Sequence, residues 1–312
     1  MKYVFIISRK NNCGRCFDCS AYDLQSHLNL EGIEYILYAD DLHVYLTVPP
    51  DQILEAIARQ SHAAHKVSEW AVGASLRLNA TKTKAIFFES EYRVSALKGL
   101  NLLGVDLGNG VLVPFVDEVL SLGVILDSSL TWKPHINLVT KKVNRAMFGI
   151  WFIESCTTET LRRRLVEAFV LYHLDYCSVV YLDASQGLRE RLQRLSNTCV
   201  RYIFSLRRDV RITSYRRKLG WLRIAAILLY KIMKMAQPSY LKKLFTNYRY
   251  TRPARGKIKE LEVPFMGPGR GNLSFQVRSA QFWNSLPSSI RFLPSLSRFK
   301  KVIRQHLFEL DA

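Results

Sequence analysis

The sequence predicts an α+β protein, a small antiparallel sheet with a packed helix followed by a longer helical region, and three observations carry this. Two strand-like apolar runs, Ile33 to Leu37 and Leu42 to Val48, flank Tyr38-Ala39-Asp40-Asp41, the pattern of a hairpin. A helical run ending at Gly73 and a further strand near 84 to 89 then complete a β-β-α-β order, the second part of a split βαβ unit. From Asn137 onward apolar residues recur at helical spacing, first in several long helices and last in a terminal one.

Tyr3 to Ile7 is expected to add a substitute edge strand to the sheet. Pro49-Pro50-Asp51 starts the first helix, whose apolar face is Ile53, Ile57, Ala64, Val67 and Ala71. Val139, Val143, Ala146 and Ile150 give the next helix; Leu161, Leu165, Phe169 and His173 a longer one; Leu188, Leu192, Leu195, Cys199 and Ile203 a third. His173 falls on the apolar face, where a hydrogen-bonded core histidine is the expectation. Leu222 to Ala236 forms a further helix broken by Gln237-Pro238-Ser239, Thr251 to Asn272 is a long Gly-, Pro- and Arg-rich loop, and Phe299, Val302, Ile303, Leu307 and Leu310 mark the last helix.

Charge is unevenly placed. Residues 1 to 130 hold 11 Lys and Arg against 15 Asp and Glu, whereas residues 131 to 312 hold 34 against 11. A field of that sign suits a polyphosphate, so RNA or DNA is the expected partner of the second half. Arg162, Arg163 and Arg164 open one helix; Arg189, Arg191, Arg194 and Arg201 decorate the next; Arg207, Arg208, Arg211, Arg216, Arg217 and Lys218 follow. The apolar run Ile224 to Tyr230 is too short to cross a bilayer and Met1 to Ser8 is short of a signal-peptide core. A soluble intracellular protein, cytoplasmic or nuclear and without a membrane partner, is expected.

Six cysteines do not suggest a disulfide scaffold. Cys13, Cys16 and Cys19 have metal-ligand spacing with His27 as the nearest fourth ligand, and free thiols are the other reading. Cys156, Cys177 and Cys199 read as small core residues.

A tight turn at Tyr38 to Asp41 presents two adjacent carboxylates, hard oxygen ligands of the kind that hold divalent metal in phosphoryl transfer. Downstream come Leu76-Arg77-Leu78-Asn79-Ala80-Thr81-Lys82-Thr83-Lys84-Ala85-Ile86-Phe87-Phe88 and Leu122-Gly123-Val124-Ile125-Leu126-Asp127-Ser128-Ser129-Leu130-Thr131-Trp132-Lys133-Pro134-His135-Ile136. In this order and spacing, from about Ala21 to the end, the chain resembles the reverse transcriptases of jockey-like non-LTR retrotransposons, RNA-directed DNA polymerases. Phe282-Trp283-Asn284-Ser285-Leu286-Pro287 resembles the tail of the same reading frames.

The resemblance implies a truncated polymerase palm followed by a helical thumb. It divides the chain into residues 1–20, a leader unrelated to the family; 21–130, a partial palm with a primer-grip hairpin; 131–236, a thumb-like region; and 237–312, a C-terminal region. It makes Asp40 a ligand of Mg²⁺ or Mn²⁺ with Asp41 assisting, Tyr38 the floor under the primer end, and Lys82 a proton donor to departing pyrophosphate. Leu122 and Gly123 would turn the hairpin against the primer backbone. Arg162, Arg163, Arg189 and Arg194 are the candidate nucleic-acid contacts of the thumb, and Trp132 stacks a base or packs the thumb root.

The family's fingers and a strand with a third metal-binding aspartate precede this hairpin, whereas 37 residues precede Tyr38 here. Asp18 would replace the third ligand in a competing alignment. Two carboxylates alone leave Mg²⁺ underheld, so no polymerase activity is expected from this chain alone and the metal is not expected to be retained. The missing half acting in trans, or a non-catalytic nucleic-acid-binding role for the basic helical half, are the alternatives.

Overall fold

The computed structural model describes residues 2–10, 33–38, 41–73, 77–99, 104–108, 110–221, 224–247, 260–264 and 275–310. The chain is α+β with small antiparallel sheets. It divides into two units, Met1–His135 and Ile136–Ala312.

In the first unit, β1 (Lys2–Lys10), β2 (Glu34–Tyr38), β3 (Asp41–Thr47), α1 (Ile53–Gly73), β4 (Arg77–Leu78) and β5 (Lys84–Phe88) build one sheet and its covering helix. β3 pairs antiparallel with β2 on one side and β1 on the other, and β1 pairs antiparallel with β5 and, at its end, β4. β3 and β5 therefore run parallel with β1 between them and α1 in the connection, a split βαβ arrangement. β3 alternates strictly: Leu42, Val44 and Leu46 are buried, and Asp41, His43 and Tyr45 half-buried. Leu42, Val44 and Ala85 pack against Ala63, Ala64, Val67, Trp70 and Ala71 of α1.

The expected edge strand is instead an inner one. β1 lies between β3 and β5, with Ile6 in register opposite both His43 and Lys84. Its unbroken apolar run, Tyr3 to Ile7, is the pattern of a strand covered on both faces, whereas a half-solvated edge would alternate.

After α2 (Glu91–Lys98) come the short pair β6 (Val105–Asp106) and β7 (Leu112–Val113), which adds Val105, Leu107 and Val113 to the core under α1. The next hairpin, β8 (Glu118–Ser121) and β9 (Val124–Asp127), covers the opposite face of the sheet, where Val119 packs on Ile86 with Phe88, Val116 and Leu126 around them. The sheet is thus the middle of three layers.

The boundary between units falls within α3 (Lys133–Trp151). In the second unit α3 packs with α4 (Glu159–Val166), a π turn (Glu167–Leu171), α5 (Tyr172–Asp175), α6 (Gln186–Ile203) and α7 (Thr213–Leu219). Val139, Val143, Met147, Val166, Val170, Cys199 and Ile203 form their core. A second core gathers α8 (Ile224–Met235), α9 (Ser239–Lys242), α10 (Phe275–Ser285), α11 (Ser288–Arg291) and α12 (Leu296–Leu310) around Tyr230, Trp283, Phe299 and Ile303.

Three expectations are corrected in this unit. Leu161 and Phe169 are exposed, and Val166 and Val170 are the buried positions, so the inward face lies one residue on from the expected one already in α4, before the π turn. His173 is accordingly half-buried rather than a core residue. Cys156 is exposed and Cys177 half-buried; among these three, Cys199 alone is buried, where desolvation pushes its thiol up to about 12.

The Phe282 to Pro287 motif has a packing role. Trp283 is fully buried and donates from Nε1 to Glu260 Oε2 (3.0 Å), while the Asn284 side chain accepts from the Glu260 and Leu261 amides and donates to the Leu261 carbonyl (2.9, 3.0 and 2.7 Å). Glu260 Oε2 also faces the buried Arg291 guanidinium at 3.6 Å. One indole and one amide thereby fasten a segment of the predicted loop to the helices; the rest of Thr251 to Asn272, including Gly267 to Gly271, lies outside the described residues.

Candidate functional site

Tyr38 and Asp41 are directly paired, so Ala39 and Asp40 are the whole link between β2 and β3. Those two residues lie outside the described residues, as do Asp18, Cys13, Cys16, Cys19 and His27. A two-residue link is the tightest hairpin connection. Tyr38 is 61% exposed. Asp41, His43 and Tyr45 share one face of β3, about 7 Å apart in succession. Burial lowers the His43 pKa, and the neighbouring Asp41 charge opposes it. A hydrogen bond to Glu34 leads the causes that raise Tyr45.

The β8–β9 hairpin crosses this same face. Its base is tied to the sheet edge by Val116 N–H to the Ala85 carbonyl (2.8 Å) and Glu89 N–H to the Ser128 carbonyl (3.0 Å). Its tip is a two-residue turn, with Ser121 paired to Val124 and positive φ at both Leu122 (46°) and Gly123 (79°). That geometry is the tight right-twisted hairpin turn, natural for Gly and costly by about 1–2 kcal/mol for Leu. Next to the turn, Ser121 Oγ lies 3.4 Å from His43 Nε2. The Leu122-Gly123 turn is therefore brought to the strand that begins at Asp41, on Asp41's own face.

Asp127 holds the far end of that hairpin. Its carboxylate accepts from Thr131 N–H and Oγ (both 2.8 Å) and from Trp132 N–H (3.0 Å), and it is buried. Trp132 is 5% exposed, so it packs and offers no ring for stacking. His135 Nδ1 accepts from the Ile125 amide at 3.3 Å, pinning β9 to the start of α3. These bonds give Asp127, Thr131 and His135 of the Leu122 to Ile136 motif a structural role in fixing how the hairpin projects.

Lys82 is exposed on a turn organised by Asn79, whose Oδ1 accepts from Thr81 Oγ and Lys82 N–H (2.7 and 3.2 Å). Lys84 stands in the register row that runs through Ile6 to His43.

The candidate arginines divide by what holds them. Arg162 donates to the carbonyls of Ile203, Glu154 and Thr157 (2.9, 3.2 and 2.7 Å), and Arg163 to Glu167 and the Leu219 carbonyl (2.9 and 3.3 Å). Their donors fasten α4 to the rest of its bundle. Arg191 donates to Asn137 (2.7 Å), whereas Arg189 and Arg194 extend from α6 into solvent.

Among the described residues no three His, Cys, Asp or Glu side chains converge to hold a metal ion. Asp41 is the one described carboxylate at the hairpin tip, and β1, the strand beside β3, puts Ser8 opposite Asp41 and carries no Asp or Glu from Lys2 to Lys10. The described residues thus fall short of the oxygen cage that Mg²⁺ requires. No helix among them is long and apolar enough to cross a membrane.

His43, Ser121, Asp127 and His135 were not singled out from sequence. The i+2 position of His43 relative to Asp41 was the available signal, since strand alternation places both on one face. A scan against protein-family models finds no match to this chain, and a search of curated proteins finds none either.

Proposed function

We propose that the protein is related to the reverse transcriptases of jockey-like non-LTR retrotransposons and corresponds to the second part of their polymerase, in which a catalytic hairpin meets a primer-gripping one. The observation that carries this reading is the 3.4 Å approach of Ser121 to His43. It brings the Leu122-Gly123 turn and the Asp41 end of the Tyr38 hairpin to one face, from segments that the resemblance selects independently. A primer terminus held by the first would lie beside the carboxylates of the second, which is the positioning that phosphoryl transfer needs. The strained φ at Leu122 supports the same reading, since such conformations persist where a contact requires them.

In this reading Asp40 and Asp41 are the remaining metal carboxylates, Tyr38 supports the primer end, and Lys82 reaches the leaving group. Beside β3, β1 offers Ser8, Arg9 and Lys10 at its end and no third carboxylate. The chain by itself is therefore expected not to polymerise. Primer extension on an RNA template with Mg²⁺ or Mn²⁺ tests this: no incorporation is expected from the chain alone, and incorporation that survives Asp40→Ala with Asp41→Ala would refute the assignment of the hairpin.

A further inference from the structure

α3 carries rings and cations on one exposed stripe. At 100° per residue, Lys141, Arg145 and Phe148 fall within about 60° of one another, opposite the buried Val139, Val143, Met147 and Ile150, and Phe152 follows just after the helix ends at Trp151. Phe148 and Phe152 are 64% and 72% exposed and meet edge to face, with centroids 4.9 Å apart; Trp151 beside them is 54% exposed. Each ring left in water forgoes about 1.5–3 kcal/mol of burial, so a cluster of three marks a contact surface. Lys133–Trp151 contains four Lys and Arg and no Asp or Glu, and among the described residues no carboxylate pairs with Lys141, Lys142 or Arg145.

A second ring pair adjoins it. Tyr172 and His173 are tilted at 38° with centroids 3.8 Å apart, and the Lys142 charge adds to burial in lowering the His173 pKa.

We propose that this face of α3 binds a single-stranded polynucleotide, with Lys141 and Arg145 on phosphates and Phe148 and Phe152 stacked on bases. Cations followed by rings on one exposed stripe suit an unpaired strand, which offers phosphates and open base faces side by side. From Lys141 to the end of α3 the helix rises about 15 Å, room for two or three nucleotides. A membrane-surface helix would set its cations on the face opposite its rings, and a duplex would hide its base faces. Rings and cations carry no means of distinguishing ribose from deoxyribose, so RNA and DNA strands should bind alike.

This inference rests on the reading of the protein as one that engages nucleic acid, and adds the strand form and the place. The test is anisotropy of labelled oligo(dT), oligo(U) and a short duplex titrated with the full chain. Both single strands should bind at least about tenfold tighter than the duplex, and Phe148→Ala with Phe152→Ala should weaken them by about 10- to 100-fold with an unchanged salt slope. Lys141→Gln with Arg145→Gln should flatten the slope of log affinity against log salt by about 1.4. Equal duplex affinity, or unaltered binding by the ring variant, would overturn the proposal. So would capture of the chain by phosphatidylserine vesicles, or a dimer in sedimentation, if the ring variant abolished either. Failure here with primer-end contacts intact at Tyr38 and Leu122 leaves the polymerase reading standing; the converse result leaves this surface standing.

Discussion

His43 and Ser121, 78 residues apart in sequence, bring Nε2 and Oγ to 3.4 Å and so join the two hairpins on one face of the sheet. If the contact holds the hairpins together, the two side chains are energetically coupled. A double-mutant cycle with His43→Ala and Ser121→Ala, read by urea unfolding, should give a coupling of about 0.5–1.5 kcal/mol. Additive losses would show that the hairpins are positioned by their bases alone.

The register of β1 supplies a sharper prediction. Residues directly opposite in an antiparallel pair share a face, and Ser8 is opposite Asp41. Ser8→Asp should therefore complete a carboxylate cluster and tighten Mn²⁺ binding by about tenfold or more, measured by electron paramagnetic resonance titration. Asp41→Asn in the same chain should remove the gain. A Ser8→Asp variant that binds Mn²⁺ no better than its parent would mean that position 8 does not face the hairpin tip.

Much of this architecture is legible in the sequence, and what is not has physical reasons. Strand alternation at Leu42, Val44 and Leu46 and the helical spacing from Ile53 to Ala71 announce their elements, because burial follows a simple period. The inner position of β1 depends on pairing across more than thirty residues, which no local pattern encodes, although its unbroken apolar run was a cue. Along α4 and the turn after it, apolar residues stand at both Leu161, Leu165, Phe169 and Val166, Val170, so helical spacing alone does not choose the inward face, which is the second. At the candidate site the hairpin and its turn were readable, while the His43 to Ser121 contact is tertiary. Asp127 looked like a motif residue and proves to be a turn organiser.

Asp127 offers a prediction about that organiser. Asp127→Ala removes the acceptor of three hydrogen bonds and strands the Thr131 and Trp132 amides. A loss of about 2–4 kcal/mol is expected, since bonds to a charged acceptor contribute more than neutral ones. Denaturant unfolding with Trp132 as reporter checks it. A loss under about 0.5 kcal/mol would mean that the hairpin's projection is set elsewhere.

Asp175 sets a pH dependence. Burial raises its carboxyl from 3.8 to about 6. The folded state then holds a proton that the unfolded state has released, so stability is full below about pH 4 and falls as pH rises through 6. Asp175→Asn should abolish that fall. The gain near pH 7.5 should be about 1 kcal/mol after allowing for the side chain's partial solvation, roughly 2–4 °C in Tm, with little change near pH 3.5. An equal gain at both pH values would assign it to packing instead.

Photocrosslinking at the two hairpin tips decides whether they serve one substrate. With a benzophenone amino acid at Tyr38 or at Leu122, irradiation beside an RNA template annealed to a DNA primer labelled at its 3′ end should join both positions to the terminal primer nucleotides. Crosslinks confined to the helical half, for example from the same probe at Arg194, with none from either tip, would contradict the polymerase assignment.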